Sequence, residues 1–172
     1  YERVIGKFKS IMSGLAIEGE DIIDSLESDL TSHISDKKRI DFFASRGEHY
    51  SAKIIARYFM KKGMDVKLML PEDIGFLVSD RFGNAKVLPA THANLKESLN
   101  DGQISIIPGY YGITLKGDIA VLSRGGSDLT GGEVAYAVDA SCYENWTDTD
   151  GVYQVDPRII PEASVIPELT YK

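Results

Sequence analysis

Cysteine and histidine are scarce in this sequence of 172 residues, which contains one Cys and three His. Cys142 alone can form neither an intramolecular disulfide nor a cysteine-based metal site. The three histidines, His33, His49 and His92, do not follow the spacing of zinc ligands. We therefore expect no protein metal site, and a location in the reducing cytoplasm.

Long apolar runs and an excess of positive charge are also missing. No stretch reaches the roughly 18 apolar residues of a membrane-spanning helix, so no membrane contact is expected. The sequence opens on Tyr1-Glu2-Arg3-Val4 without an apolar signal segment, which predicts the interior of a longer sequence. The net charge of −7 argues against a nucleic-acid-binding surface. Apolar residues make up 43% of the chain, enough for a folded core.

Common catalytic and nucleotide-binding motifs are absent as well. The sequence contains no P-loop, no Gly-x-Gly-x-x-Gly fingerprint and no protein-kinase catalytic loop. A nicotinamide cofactor is therefore not expected. No nucleophile elbow is present either, although a Ser-His-Asp arrangement stays open.

The apolar pattern of the first half predicts two helices followed by a strand–helix–strand unit. Residues 3–15 and 18–34 carry apolar side chains at helical spacing. The unit has predicted strands over 40–44 and 66–70, and its helix ends at Gly63. Such a unit implies a parallel strand pair joined by a right-handed crossover.

The second half continues with short alternating elements. These are, in chain order, a hairpin over 74–88, a helix over 91–99 with Thr91 as its N-cap, strands over 104–107 and 119–122, a helix over 127–139 and a strand over 143–147. The alternation predicts an α/β protein, a three-layer α/β/α sandwich with a mainly parallel sheet. We expect a helical segment over 1–38 and the sheet core over 39–172.

Loops with unusual chemistry lie where ligands bind in parallel α/β sheets, beyond the carboxyl ends of strands. They cover residues 45–48, 109–112, 124–128 and 147–153. Gly125 and Gly126 permit positive φ and close approach of a ligand to the backbone. Ser127 or Asp128 can cap the helix that follows. Free N–H groups at a helix start bind anions, so this turn is predicted to bind phosphate.

Four segments together resemble the aspartate kinases, of the amino-acid kinase superfamily. They are Ser45-Arg46-Gly47-Glu48-His49-Tyr50-Ser51-Ala52, Gly109-Tyr110-Tyr111-Gly112, Ser123-Arg124-Gly125-Gly126-Ser127-Asp128 and the stretch from Trp146 to Arg158. Arg-Gly-Gly-Ser-Asp is specific to aspartate kinases within the superfamily, whereas the last segment is shared more widely. The resemblance covers about 41–171 and implies the amino-acid kinase fold.

The resemblance implies ATP-dependent phosphorylation of the L-aspartate side chain to 4-phospho-L-aspartate, the first step toward lysine, threonine and methionine. It assigns the substrate ammonium to Glu48, the α-carboxylate to Arg124 and a place beside the substrate to Tyr110. Arg124 and Asp128 take the catalytic roles. Phosphate and nucleotide contacts are assigned to Gly125, Gly126, Ser127, Thr147, Asp148, Tyr153, Asp156 and Arg158. ATP and Mg²⁺ are the implied cofactors, and the full-length protein is expected to form a homo-oligomer.

Two departures from the family and several alternatives stay open. The Lys-Phe-Gly-Gly strand, whose lysine contacts the transferred phosphate, and the regulatory ACT domains are not found in this sequence. We therefore expect an interior fragment of a catalytic domain that is inactive alone. The alternatives are a kinase for glutamate, acetylglutamate or a nucleoside monophosphate, and a non-catalytic nucleotide-binding regulatory module. Glu48 could instead stabilise a helix N-terminus, and Arg124 could pair with Asp118.

Overall fold

The computed structural model describes residues 1–147 and 151–169, and this part of the chain contains both helices and short strands. In chain order the elements are α1 (Glu2–Gly14), α2 (Glu20–Thr31), α3 (Asp36–Lys61), β1 (Val66–Leu68), α4 (Ala90–Ser98), β2 (Ile104–Ile106), β3 (Tyr111–Ile113), β4 (Ile119–Val121) and α5 (Gly126–Ala137). The α/β class predicted from the alternation is confirmed.

Helices α1 and α2 pack against α3 through one hydrophobic cluster. Met12 of α1, Ile22 and Leu26 of α2 and Ile54 of α3 are among its buried members. Both helices were predicted from apolar residues at helical spacing, and both are confirmed within a few residues. The pattern was sufficient here because each helix buries a single apolar face.

Helix α3 contradicts the predicted strand over 40–44 and the predicted turn over 45–48. It runs without interruption for 26 residues. Ile40, the first residue of the supposed buried strand, is 76% exposed. Much of the buried face of this helix is polar, with Asp41, Ser45 and His49 spaced four residues apart. Apolar periodicity therefore could not reveal the helix.

Asp41 explains how a polar helix face comes to be buried against strand β4. Its side chain is 2% exposed, and its Oδ2 accepts hydrogen bonds from the backbone N–H groups of Gly83 and Val121, each at 2.8 Å. A buried carboxylate is tolerated when such donors satisfy it. This long-range pairing places α3 across the sheet.

The strands form one parallel and one antiparallel pair among the named elements. Strand β1 pairs in parallel with β2, with Val66 opposite Ile104, and α4 lies between them in the chain. The predicted parallel pair therefore involves different strands, because residues 40–44 are helical. Strands β3 and β4 are antiparallel, with Tyr111 opposite Val121.

Single backbone bridges extend these pairs through the predicted hairpin. Within residues 74–88, Val78 forms an antiparallel bridge with Val87, which confirms that the chain turns back on itself there. Leu77 bridges to Ile113 in parallel. Beneath these bridges lies the second hydrophobic cluster, which includes Phe76 and Leu95.

Three local predictions were wrong in detail. Thr91 does not cap α4, whose N-cap is Pro89; its hydroxyl instead bonds to the backbone of Leu77. Helix α5 begins after Gly125 with no side-chain cap, so neither Ser127 nor Asp128 caps it. Residues 143–147 are exposed and form no strand, since they pack on no sheet that could satisfy their backbone.

The division into residues 1–38 and 39–172 stays a prediction. Helix α3 begins at Asp36 and crosses that boundary. Of the helices within the described ranges, none is both long and apolar enough to pass through a membrane.

Candidate functional site

A cleft of about 380 Å³ lies where α3, the segment before β3 and the start of α5 meet. Its α3 wall is formed by Ala44, Gly47, Glu48 and Ser51, which stand at positions i, i+3, i+4 and i+7 and so share one face of the helix. Its other wall is formed by Tyr110, Gly125, Gly126 and Ser127. Glu48 thus lies in the middle of α3, which excludes the alternative that it stabilises the N-terminus of its own helix.

A second cleft of about 540 Å³ adjoins the first and shares Glu48 and Ser127 with it. Its floor is more apolar and includes Ile107, Val134 and Val138. At the junction, the Ser127 hydroxyl donates a hydrogen bond of 3.2 Å to Oε1 of Glu48. A carboxylate is therefore held at the meeting point of two open depressions.

The turn before α5 requires both of its glycines. Gly125 has φ of +78°, a left-handed conformation that favours glycine. A Cβ at Gly126 would lie 2.8 Å from Cβ of Leu122 and 3.0 Å from Cδ2 of Tyr110. Any side chain there would separate the turn from the segment before β3.

The start of α5 offers backbone donors to the cleft. Leu129 donates to the carbonyl of Gly125 at 3.0 Å, so the N–H groups of Gly126, Ser127 and Asp128 precede the first intrahelical bond. Such groups lie at the positive end of the helix dipole. They form the kind of anion site that the sequence predicted for this turn.

Arg124 is exposed and directly precedes this turn. Asp118, the partner considered from the sequence, instead pairs with Lys38 at 2.6 Å. Within residues 1–147 and 151–169, no carboxylate lies within ion-pair distance of Arg124. Arg124 lines neither cleft, but its neighbour Gly125 lines the first one. Asp128 is exposed, and its carbonyl accepts the Tyr143 hydroxyl at 3.2 Å.

The nucleotide-binding residues predicted in the C-terminal region do not line either of these clefts. Thr147 is exposed in an irregular segment, and Tyr153 forms an antiparallel bridge with Val165. The Asp156 carboxylate accepts the Arg158 backbone N–H at 2.9 Å, which closes a local turn. Asp148 lies outside the described residues.

Ser51 is a cleft residue that the sequence reasoning missed. It lies one helical turn after Glu48 and on the same face. The spacing that would have revealed it was hidden because residues 45–48 were predicted as a turn. Thr130, whose hydroxyl bonds to the Tyr110 backbone at 3.1 Å, was missed as well.

Buried polar side chains support the cleft from below. Asp29 of α2 accepts hydrogen bonds at 2.8 Å from both the Arg46 guanidinium and the Tyr50 hydroxyl. His49 Nδ1 lies 2.8 Å from the Tyr111 hydroxyl. Burial, reinforced by the positive charge of Arg46, lowers the pKa of His49 to about 3. The imidazole is therefore neutral at pH 7, and its Nδ1 can accept a hydrogen bond from the Tyr111 hydroxyl.

No group of three or more His, Cys, Asp or Glu side chains that could hold a metal ion occurs in the part of the chain that the structure describes. The cleft itself offers the Glu48 carboxylate and a row of backbone donors, and Arg124 adjoins the cleft residue Gly125 in the chain. Together these can hold a small zwitterion beside an anion.

Known proteins with similar sequences and folds share this arrangement of elements. A sequence model described as the Amino acid kinase family matches residues 8–172. Aspartokinase 3 of Bacillus subtilis is 36% identical over 176 residues, covering 99% of this chain and 38% of that protein. The chain thus spans less than half the length of this relative.

Solved structures agree with the sequence comparison. E. coli aspartokinase III in complex with aspartate and ADP has a TM-score of 0.71 at 27% identity, covering 86% of this chain and 34% of that one. Clostridium acetobutylicum aspartate kinase has a TM-score of 0.71 at 27% identity, covering 94% and 35%. The expected amino-acid kinase fold is confirmed, and the chain belongs to the amino acid kinase family.

Proposed function

We propose that the protein carrying this chain is an aspartate kinase, which transfers the γ-phosphoryl group of ATP to the side-chain carboxylate of L-aspartate. The observation that carries the proposal is the meeting of Glu48 with the N-terminus of α5 in one cleft, with Arg124 directly before the glycine turn. The relatives named above are aspartokinases, and one was solved with aspartate and ADP.

The substrate's two backbone charges match the two charged side chains of the site. The Glu48 carboxylate binds the α-ammonium group, and the Arg124 guanidinium forms a bidentate pair with the α-carboxylate. The ring of Tyr110 forms the cleft wall against the substrate. With both ends held, the side-chain carboxylate of aspartate has one orientation relative to α5.

The turn before α5 takes the phosphate groups. Gly125 leaves open space on its side-chain face, with nothing within 4 Å of a Cβ placed there. The N–H groups of Gly126 and Ser127 would donate to phosphate oxygens. Bound Mg²⁺ supplies further neutralisation of the phosphate charge. Asp128 orients the cationic groups around the transferred phosphoryl.

The attacking group needs no general base from the protein. A side-chain carboxylate with a pKa of about 4 is already ionised at pH 7. The contribution of this chain is therefore positioning and charge neutralisation, which dominate phosphoryl transfer. In our proposal the rest of the nucleotide contacts Thr147, Asp148, Tyr153, Asp156 and Arg158.

The decisive experiment measures aspartate-dependent ATP turnover by the full-length protein and its Arg124→Ala and Glu48→Ala variants. Each variant loses a charge-assisted hydrogen bond, so we expect KM for aspartate to rise about tenfold or more. Arg81→Ala, which removes another exposed arginine from the turn between Val78 and Val87, is the matched control. Unchanged KM in both site variants would contradict the substrate assignment.

The same assay addresses two finer proposals. Residues 1–172 alone are expected to give no turnover, because the phosphate-contacting lysine of the aspartate kinase motif is not in this sequence. The product, 4-phospho-L-aspartate, is proposed to feed lysine, threonine and methionine synthesis. Robust turnover by the 172-residue chain would refute the first of these.

ATP turnover measured with several phosphoryl acceptors distinguishes aspartate kinase activity from the other activities of the family. Acetylglutamate has no ammonium group, so the Glu48 carboxylate would repel it rather than bind it. A nucleoside monophosphate matches neither Glu48 nor the apolar wall at Tyr110. We expect aspartate to be preferred over glutamate, acetylglutamate and nucleoside monophosphates. The absence of turnover with any acceptor, together with retained ATP binding, would favour a regulatory module.

A further inference from the structure

Thr130 connects two residues of one wall of the candidate substrate cleft through one buried hydroxyl. The residue lies in the second turn of α5 and is 4% exposed. Its Oγ1 accepts the backbone N–H of Tyr110 at 3.1 Å and donates to the carbonyl of Gly126 at 2.8 Å. Both Tyr110 and Gly126 line the first cleft, whereas Thr130 lines only the adjoining second one.

Tyr110 has a backbone conformation that needs such support. Its φ is +75°, a left-handed value that is rare and strained for a bulky residue. A conformation of this kind persists only when its surroundings determine it. Here the Tyr110 carbonyl accepts the Leu122 N–H at 2.8 Å, and its ring packs close to Gly126.

The left-handed conformation decides where the ring of Tyr110 lies. The hydrogen bond from the Leu122 N–H fixes the Tyr110 carbonyl, and the hydrogen bond to Thr130 Oγ1 fixes the Tyr110 amide. Together the two bonds restrain φ of Tyr110. Without it, Tyr110 can relax to negative φ, which turns the side chain to a different direction. The ring would then no longer pack beside Gly126 at the cleft.

We propose that Thr130 is a positioning residue, which holds Tyr110 in its left-handed conformation and so keeps the ring in the substrate-facing wall. This inference rests on the proposed function for the identity of the substrate. The geometry of Tyr110 does not depend on that identity, and it can be measured separately.

Thr91 provides a matched control for the loss of a buried threonine hydroxyl. It is 0% exposed, and its Oγ1 accepts the Leu77 N–H at 2.9 Å and donates to the Leu77 carbonyl at 2.7 Å. The chemistry is the same as at Thr130, but neither Thr91 nor Leu77 lines either cleft. Thr91→Val therefore carries the stability cost of losing a buried hydroxyl but does not alter the position of Tyr110.

The first measurement is hydrogen exchange of the Tyr110 amide, followed by NMR in the full-length protein. Thr130→Val removes the acceptor, and we expect exchange of this amide to become about tenfold faster. Thr130→Ser keeps the hydroxyl and should keep the protection, and Thr91→Val should leave it unchanged. Equal exchange in Thr130→Val and the natural protein would overturn the proposal whatever the enzyme's activity.

The second measurement is steady-state kinetics with aspartate. Thr130→Val is expected to raise KM for aspartate about tenfold, with kcat changed by less than about threefold. Thr130→Ser should behave as the natural protein, and Thr91→Val should lower Tm without changing KM. Similar KM values in Thr130→Val and Thr91→Val would reduce Thr130 to a structural residue and overturn the proposal.

A double variant tests whether Thr130 acts through Tyr110, and a second substitution at Thr130 covers the case in which valine does not fit. In a Tyr110→Gly background the positive φ is unstrained and no ring remains, so adding Thr130→Val should not raise KM further. Thr130→Ala is the second variant if valine does not fit, and the same results are expected of it. If the natural protein does not turn over aspartate, the proposed function fails while the exchange experiment still decides the role of Thr130.

Discussion

His49 is a single residue whose burial controls its chemistry. It is 5% exposed, and the charged groups around it are Arg46, Lys53 and Asp29. Its neutral imidazole lies against Tyr111, whose own pKa is raised by burial and, to a lesser extent, by Glu72. Both side chains therefore keep one protonation state near neutral pH and form a fixed link between α3 and β3.

The lowered pKa of His49 predicts how stability depends on pH. The pKa is about 3 in the folded chain and about 6.5 when unfolded, so the unfolded state takes up the proton first as pH falls. Stability is then complete above about pH 6.5 and decreases by up to ~1.4 kcal/mol per pH unit below it. Urea unfolding between pH 7.5 and 5 measures this.

Two histidine variants isolate the effect. His49→Gln should flatten the dependence between pH 6.5 and 5, because no buried imidazole remains to be protonated. His33→Gln, at an exposed site, should retain the slope of the natural protein. An unchanged slope in His49→Gln would mean that other groups produce the pH dependence.

At the scale of an element, α3 contains Gly47 in its interior, where glycine lowers the stability of the helix. Glycine in a helix interior costs about 1 kcal/mol relative to alanine. A Cβ at Gly47 meets nothing within 4 Å, so packing does not require glycine there. Gly47 does line the cleft beside Glu48. The open space is thus available to a ligand rather than filled by a side chain.

Gly47→Ala is therefore predicted to stabilise the fold and to weaken the binding of aspartate. We expect about 0.5–1 kcal/mol of added stability by urea unfolding, together with a KM for aspartate raised by about threefold or more because the new methyl narrows the cleft. Gly132→Ala is the matched control, since Gly132 lies in α5, has the same free space and lines neither cleft. Gly132→Ala should add stability without changing KM for aspartate. If KM is unchanged in Gly47→Ala as well, aspartate does not bind in the cleft that Gly47 lines.

At the scale of the whole molecule, the chain has two hydrophobic clusters, and polar contacts between α2 and α3 reinforce the helical one. One cluster lies among α1, α2 and α3, and the other lies around the strands. Asp29 of α2 pairs with Arg46 of α3, with 27% and 8% of their side chains exposed. Asp21 of α2 pairs with Arg57 of α3 in the same way, but with 66% and 40% exposed.

These two ion pairs give a comparison within one pair of helices. Asp29→Asn leaves the Arg46 guanidinium buried without its counter-charge, so we expect a loss of about 2 kcal/mol or more in the free energy of unfolding. Asp21→Asn breaks an exposed pair and should cost at most about 1 kcal/mol. Urea unfolding of both variants at pH 7 makes the measurement. Equal losses would show that burial does not govern the contribution of the Asp29–Arg46 pair.

Local patterns in the sequence were sufficient for part of this molecule. Helices α1 and α2 follow from apolar spacing, and the turn before α5 follows from Gly125 and Gly126, because each depends on neighbours close in the chain. The short motifs also identified Glu48, Tyr110 and Ser127, which do meet in one cleft.

Contacts between distant segments settled the rest. Helix α3 was misread at residues 40–48 because its buried face is polar. Distant partners satisfy that face, since Asp41 bonds to the backbone of Gly83 and Val121 and Arg46 bonds to Asp29. Its continuity places Glu48 in mid-helix, on the face that meets Ser127. Likewise the left-handed Tyr110 is supported by Thr130, twenty residues away. Partners at such separations carry no periodic signal, so their pairing emerges from the packed chain and not from any local pattern.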